Sequence, residues 1–228
     1  MNEREKILGR IREALKTMAP LPGHHHPEAT VTAAASASNI PRSWLPKVGE
    51  RFEDQLALFA RNAAELKADF RLLDSAEEAA LTLLNLGKTA GWKKVACHPG
   101  QLTDAVCSTL PFEQFHTNRG YDPHNLEACD AGISECDLLV AQTGTVVVTS
   151  RSAGGRALSV LPPHHIVIAR KDQLVPDLPA AFERLRDQYG ADYPSMISLI
   201  TGPSRTGDIE RILVLGAHGP KQLTVLCF

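Results

Sequence analysis

Between Ser75 and His116 the apolar residues fall into helix-length and strand-length segments by turns, and from Asp137 onward strand-length segments follow one another directly. Ser75 with Glu78 makes a capping pair for a helix that runs to about Leu86. Lys94–Cys97 then reads as a strand, Gln101–Leu110 as a helix and Phe112–His116 as a weak strand. Upstream, Phe52, Leu56, Phe59, Ala60, Ala63 and Leu66 recur at helical spacing, and Phe70–Leu73 supplies a first short strand. Downstream come Leu138–Gln142, Thr145–Thr149 and Ile166–Ala169, the first two joined by a Thr-Gly turn, and a last helix over Leu178–Tyr189. This order predicts an α/β domain: a mainly parallel sheet flanked by helices, with additional antiparallel strands. Ligands of such sheets gather beyond the carboxyl ends of the strands, so the loops after Val140, Leu161 and Leu215 are expected to share one rim.

Three segments follow from the same reading. Residues 1–18 carry Ile7, Leu8, Ile11, Leu15 and Met18 on one face of an amphipathic helix, a candidate for association between copies. Residues 19–47 hold five prolines among Ala, Ser, Thr and His with no countable period, the composition of a tether. Residues 48–228 are the α/β domain. The run His24–His26 lies in the tether, where consecutive side chains converge poorly on one ion, so no metal site is assigned.

A net charge of −2 and an aromatic content of 5% give neither a basic footprint nor stacking platforms for nucleic acid. No apolar run approaches the roughly 18 residues of a membrane span, and the charged start, Met1-Asn-Glu-Arg-Glu-Lys, lacks a signal-peptide pattern. A cytoplasmic location is the expectation. The five cysteines are at least seven positions apart, without a CxxC, which argues against an iron–sulfur cluster or a structural zinc held by this chain and for small apolar core residues.

The chemistry-bearing residues concentrate in loops of the carboxyl-terminal half. In Thr201–Glu210 (TGPSRTGDIE), Pro203, Ser204 and Thr206 are residues that open helices, and a helix start carrying Gly202, Ser204, Arg205 and Thr206 would offer backbone donors, hydroxyls and a guanidinium to an anion. The run Ile212–Leu215 reads as a buried strand leading to Gly216-Ala-His218. Thr143, Gly144 and Thr145 form a tight turn that can present N–H and hydroxyl donors, and Arg156 follows a flexible Gly-Gly pair. Glu135 and Asp137, two apart on a strand, would point to one face as an acid–base pair, and His218 is the base nearest Ser204 in sequence. His164 and His165, adjacent at a strand start, should face opposite sides of the sheet. The G-x-G-x-x-G, Walker A, G-x-S-x-G and H-E-x-x-H signatures do not occur.

These motifs, AQTGTVVV, GR followed by LSVLPPHHIVI, ITGPSRTGDIE, and LVLGAHGP with the closing QLTVLCF, resemble in matching order the lactate utilization protein C family, whose globular part is the LUD domain. The resemblance extends over roughly Gly132 to the carboxyl terminus. It implies a fold similar to the sugar-phosphate isomerase and coenzyme A transferase superfamily, and a role with two iron–sulfur proteins in oxidising L-lactate to pyruvate. This chain would be the cluster-free member, its clusters residing in the partners. Many family members carry Glu where Gln142 stands and Ala where Gly207 stands. The leading expectation is a subunit of such a system that holds an anionic ligand with Thr143, Gly144, Thr145, Arg156, Gly202, Ser204, Arg205, Thr206 and His218. Two rivals stand beside it: a free-standing transferase- or ligase-like enzyme acting on an acyl or phosphorylated small molecule through Glu135 or His218, and a non-catalytic scaffold.

Overall fold

The computed structural model describes residues 3–14, 16, 45–120, 122–207, 213–215 and 218–228. Two units separate along the chain, Met1–Trp44 and Leu45–Phe228. In the first, α1 (Glu3–Ala14) exposes Ile7 and Leu8. The expected tether and its histidine run lie outside the described residues.

The second unit is organised by a six-stranded sheet. Its strands are β1 (Asp69–Leu72), β2 (Lys94–Cys97), β3 (Glu113–His116), β4 (Ala131–Glu135), β7 (His164–Ala169) and β12 (Gln222–Cys227), in the spatial order β1-β12-β7-β4-β2-β3. Every neighbouring pair is parallel. A second, four-stranded sheet orders β8 (Leu174–Val175), β5 (Leu138–Val140), β6 (Thr145–Thr149) and β9 (Ile197–Ile200) and is mixed: β5 pairs parallel with β8, while β5–β6 and β6–β9 are antiparallel. A mainly parallel sheet with added antiparallel strands is what the sequence rhythm predicted.

Burial explains why these segments are strands. All six residues of β7 (HHIVIA) are buried, the signature of a parallel strand covered on both faces. One face packs Ile133, Ile166, Ile168 and Leu226 against α3 (Ala76–Ala90) and α4 (Gln101–Cys107). The other packs Val167, Ala169, Leu223 and Val225 against α2 (Phe52–Glu65) and against Leu139, Val146 and Val148 of the mixed sheet. A short α5 (Pro123–Glu127) precedes β4, and the mixed sheet in turn is covered by α6 (Leu178–Tyr189), through Ala181, Leu185 and Tyr189. The five cysteines are free and buried. Local signals behave as capping chemistry requires: Ser75 Oγ accepts from the Glu78 amide at 3.3 Å, and Asp177 caps α6 through the Ala180 amide at 2.9 Å.

Two expectations fail. The helix predicted to open at Pro203–Thr206 is a hairpin: Arg205–Gly207 form β10, paired antiparallel with β11 (Leu213–Leu215). Proline and hydroxyl residues suit turns as well as first helical turns, and here the extended segment gains a ladder with the following apolar run. Leu213–Leu215 accordingly belong to a two-stranded ribbon rather than to the main sheet, and residues 208–212, with Asp208 and Glu210, lie outside the described residues. The common rim also divides. The loop after Leu161 feeds the amino end of β7, so it faces the opposite edge of the sheet from the loops that leave β4 and β7. Among the described residues no helix is long and apolar enough to cross a membrane.

Candidate functional site

Two cavities flank the parallel sheet at opposite ends of its strands. The first lies at the amino ends of β7 and β12, against the edge strand β9, with a volume of about 270 Å³. Here the TGPS and HGP segments meet as the sequence suggested: Gly202, Ser204 and His218 line the cleft together, and the Ser204 amide donates to the Pro220 carbonyl at 2.9 Å. Ser204 is half-buried and His218 exposed, and no hydrogen bond joins them. Thr201, also in the lining, ends a chain of hydroxyls: Thr143 Oγ1 lies 2.7 Å from Thr145 Oγ1, which lies 2.8 Å from Thr201 Oγ1. The Thr143–Thr145 turn therefore braces the cleft from behind.

His165 lines the same cleft. Strand alternation puts the two histidines on opposite faces, as expected: His164 Nε2 pairs with Thr224 Oγ1 at 2.9 Å and its ring meets Trp92 edge-on, while His165 Nε2 pairs with Ser134 Oγ at 3.0 Å. Burial lowers both imidazoles, His164 to about 4 and His165 to about 3, so both are neutral at physiological pH.

The second cavity, of about 570 Å³, opens beyond the carboxyl ends of β4 and β7. Arg151 comes from the loop after β6, Arg170 from the turn after β7 and Arg184 from α6, and all three line it. The carboxylates around it are each occupied. Asp137, 7% exposed, accepts from Ser152 Oγ at 2.6 Å, from Gln188 Nε2 at 3.2 Å and from the Tyr189 hydroxyl. Burial first, and then this bond to Asp137, raises the Tyr189 phenol, which stays protonated as a donor. Asp172 pairs with Arg170 at 3.1 Å, and Arg151 pairs outward with Asp192 at 2.6 Å while lying over the Tyr189 ring. Arg184 has no ion pair among the described residues.

Glu135 and Asp137, the expected acid–base pair, both line this cavity but are not aligned on one strand. β4 ends at Glu135, so the alternation that would align the two side chains stops there. Glu135 Oε1 instead accepts from the Leu102 and Thr103 amides, at 2.7 and 3.2 Å, and holds the start of α4. The same edge of the sheet contains its switch point. From β2 the chain runs outward to β3 and from β4 it runs the other way to β7, and His98, the residue after β2, occupies the crevice between. Its Nδ1 lies 2.9 Å from the buried Thr117 Oγ1. Burial lowers its pKa, opposed by a hydrogen bond to the Arg151 backbone. Gly154, at φ +63°, presses on this ring so closely that a Cβ there would collide with it.

The remaining sequence candidates are scattered. Arg156 is exposed and donates to the Ser195 carbonyl at 2.9 Å, outside both cavity linings. Arg205 is exposed and lies outside both linings, and the Thr206 side chain lies outside the described residues. Gly144, at φ +63°, packs on α2: a Cβ would stand 2.9 Å from the Ala63 amide nitrogen. Beside it Asn62 donates to the Ala141 and Gln142 carbonyls, both at 2.9 Å, and Gln142 donates to the Pro46 carbonyl at 2.9 Å, so this polar turn is a docking point for α2 and the chain preceding it. The sequence reading missed His98, His165 as a cleft residue, and the three cavity arginines. The arginines come from separate loops and a helix without a shared motif; only the reversal of winding between β2 and β4 could have pointed to that edge. Among the described residues no group of three His, Cys, Asp or Glu is placed to hold a metal ion.

Comparison with known proteins gives this geometry a family. Residues 112–227 match the model of the LUD domain. Lactate utilization protein C of Geobacillus kaustophilus is 31% identical over 196 residues, 80% of this chain and 81% of that one. The protein of the same name from Oceanobacillus iheyensis is 37% identical over 102 residues, a match that spans 44% of either chain. A crystal structure of a DUF162 family protein from Deinococcus radiodurans shares the fold, with a TM-score of 0.62 at 22% identity over 78% of this chain and 99% of that one. On its domain match and its similarity along most of its length to lactate utilization protein C, this chain belongs to the LUD domain family.

Proposed function

We infer that this chain serves L-lactate oxidation as a cluster-free subunit beside iron–sulfur partner proteins, and that it holds a carboxylate ligand in the arginine cavity at the strand carboxyl ends. The relatives named for lactate utilization support the process, and the cavity supports the ligand class. The observation that carries the reading is the convergence of Arg151, Arg170 and Arg184 from three elements onto one cavity whose carboxylates already have their own donors. Arg184 is then the guanidinium left to meet a small acid, for which its planar fork is suited. Ser204 and His218, assigned to the anion from sequence, stand at the other end of the strands in a cleft whose lining holds no arginine among the described residues.

The test is complementation. A strain deleted for this gene should lose growth on L-lactate as sole carbon source and regain it with the wild-type chain, while Arg184→Ala, present at normal level, should restore it poorly. Normal growth of the deletion strain would refute the lactate role. Full rescue by Arg184→Ala would refute the assigned site.

A further inference from the structure

We propose that the cleft between β9 and the amino ends of β7 and β12 is a separate binding site for a small uncharged compound bearing a hydroxyl group on a short apolar stem, with His165 as the residue that reads the hydroxyl. This stands apart from the anion assigned to the arginine cavity and uses none of the same residues.

The first observation is an orphan. His165 is 1% exposed, its Nε2 is engaged by Ser134, and its Nδ1 has no hydrogen-bond partner among the described residues. An unpaired buried ring nitrogen is less stable than a satisfied one, so it favours a ligand that can pair with it. The second is direction. His165, Val167 and Ala169 alternate onto one face of β7, the face turned toward the mixed sheet, and the other lining of the cleft, Ser198–Thr201, belongs to that sheet and its end. His165 therefore lies at the floor of the cleft, its Nδ1 covered until the side chains above it part for a ligand.

The third observation selects the chemistry. The His165 ring is neutral at physiological pH, so the floor of the cleft has no charge with which to attract a carboxylate, and the other imidazole of the lining, His218, is exposed. The free nitrogen of His165 is a donor in one tautomer and an acceptor in the other, and a hydroxyl, which does both, suits either. The walls supply the rest: Val160 and Leu199, 43% and 40% exposed, line the cleft together with the buried Leu223. A volume of about 270 Å³ is below that of sites for drug-sized ligands, roughly 300–1,000 Å³. A few convergent polar groups in an apolar cleft are the usual composition of a small-molecule site.

The experiment titrates the full chain, labelled with nitrogen-15 and in its valine and leucine methyl groups, with 2-pentanol and in parallel with pentanoate. The expected result is a saturable shift of the His165 imidazole nitrogens and of the Val160, Leu199 and Leu223 methyl signals with the alcohol, and at least tenfold weaker binding of the carboxylate. His165→Phe keeps a ring of similar size and should weaken the alcohol at least tenfold. Leu199→Asp, at an exposed position with little bearing on folding, should do the same and decides the matter if the histidine variant does not fold. Absence of saturable shifts with 2-pentanol, equal binding of pentanoate, or unchanged affinity in Leu199→Asp would overturn the proposal.

Discussion

Beyond the carboxyl ends of β4 and β7, three guanidiniums and three carboxylates surround one cavity; at the amino ends of β7 and β12 the described lining is the neutral His165 imidazole, the exposed His218, hydroxyls and apolar side chains. The same strand, β7, reaches both, with His165 near one end and Arg170 just past the other. The difference comes from what covers each end. Charged residues arrive at the carboxyl end from a loop, a turn and the polar side of α6, whereas the amino end is closed by β9 and proline-bearing segments. A single sheet can thus present a charged site and an uncharged one, and fold position alone does not say which is the functional one.

The largest expected effect would break the charged end. Asp137→Ala removes the acceptor of Ser152, Gln188 and Tyr189 and leaves a buried phenol with only the longer contact to Thr149. Chemical denaturation should show a loss of about 3 kcal/mol. A loss under about 1 kcal/mol would mean that this network does not hold the cavity wall.

Next comes the turn that braces the uncharged end from behind. Gly144→Ala adds a Cβ at φ +63° against the backbone of α2, and about 2 kcal/mol of stability should be lost in the same assay. Wild-type stability would show that the turn is free to shift, and with it the hydroxyl chain to Thr201.

Acid distinguishes the ends further. His164 and His165 bind protons at about 4 and about 3 in the folded chain, against 6.5 for an exposed imidazole. As pH falls below 6.5 the unfolded chain takes up these protons and the folded chain does not. Their contribution to stability is therefore complete above pH 6.5 and declines as pH falls toward 4 and 3, by up to about 1.4 kcal/mol per pH unit for each histidine. His165→Phe should flatten the profile of unfolding free energy between pH 6 and 4 by one such contribution; an unchanged slope would show that the ring is protonated in the folded state.

Arg205→Ala is the smallest. Exposed and outside both linings, Arg205 should be replaceable with less than about 0.5 kcal/mol of change in stability and no change in anion binding. Loss of anion binding in this variant would return the ligand to the loop where the sequence first placed it.

How much of this was legible without coordinates depended on the range of the interactions. Lys94–Cys97, Thr145–Thr149 and Leu178–Tyr189 were readable to the residue, because periodicity and capping are local. β4 was not, since Ala-Gly-Ile-Ser-Glu carries little apolar signal and gains its place only by burial between β2 and β7. Pro203–Thr206 misled because a helix start and a turn before a hairpin use the same residues, and only pairing with Leu213–Leu215 decides between them. At the candidate site, the meeting of Gly202, Ser204 and His218 was legible, as their loops bracket one hairpin. Arg151, Arg170 and Arg184 were not, because convergence of a loop, a turn and a helix is a property of topology.

The most direct test of the account is calorimetric titration of the purified chain with pyruvate and with L-lactate, wild type beside Arg184→Ala. Saturable binding of at least one of these acids by the wild-type chain, weakened tenfold or more in the variant with its thermal unfolding unchanged, is the predicted result. No heat of binding from either acid in the wild-type chain, or equal affinity in both proteins, would contradict it.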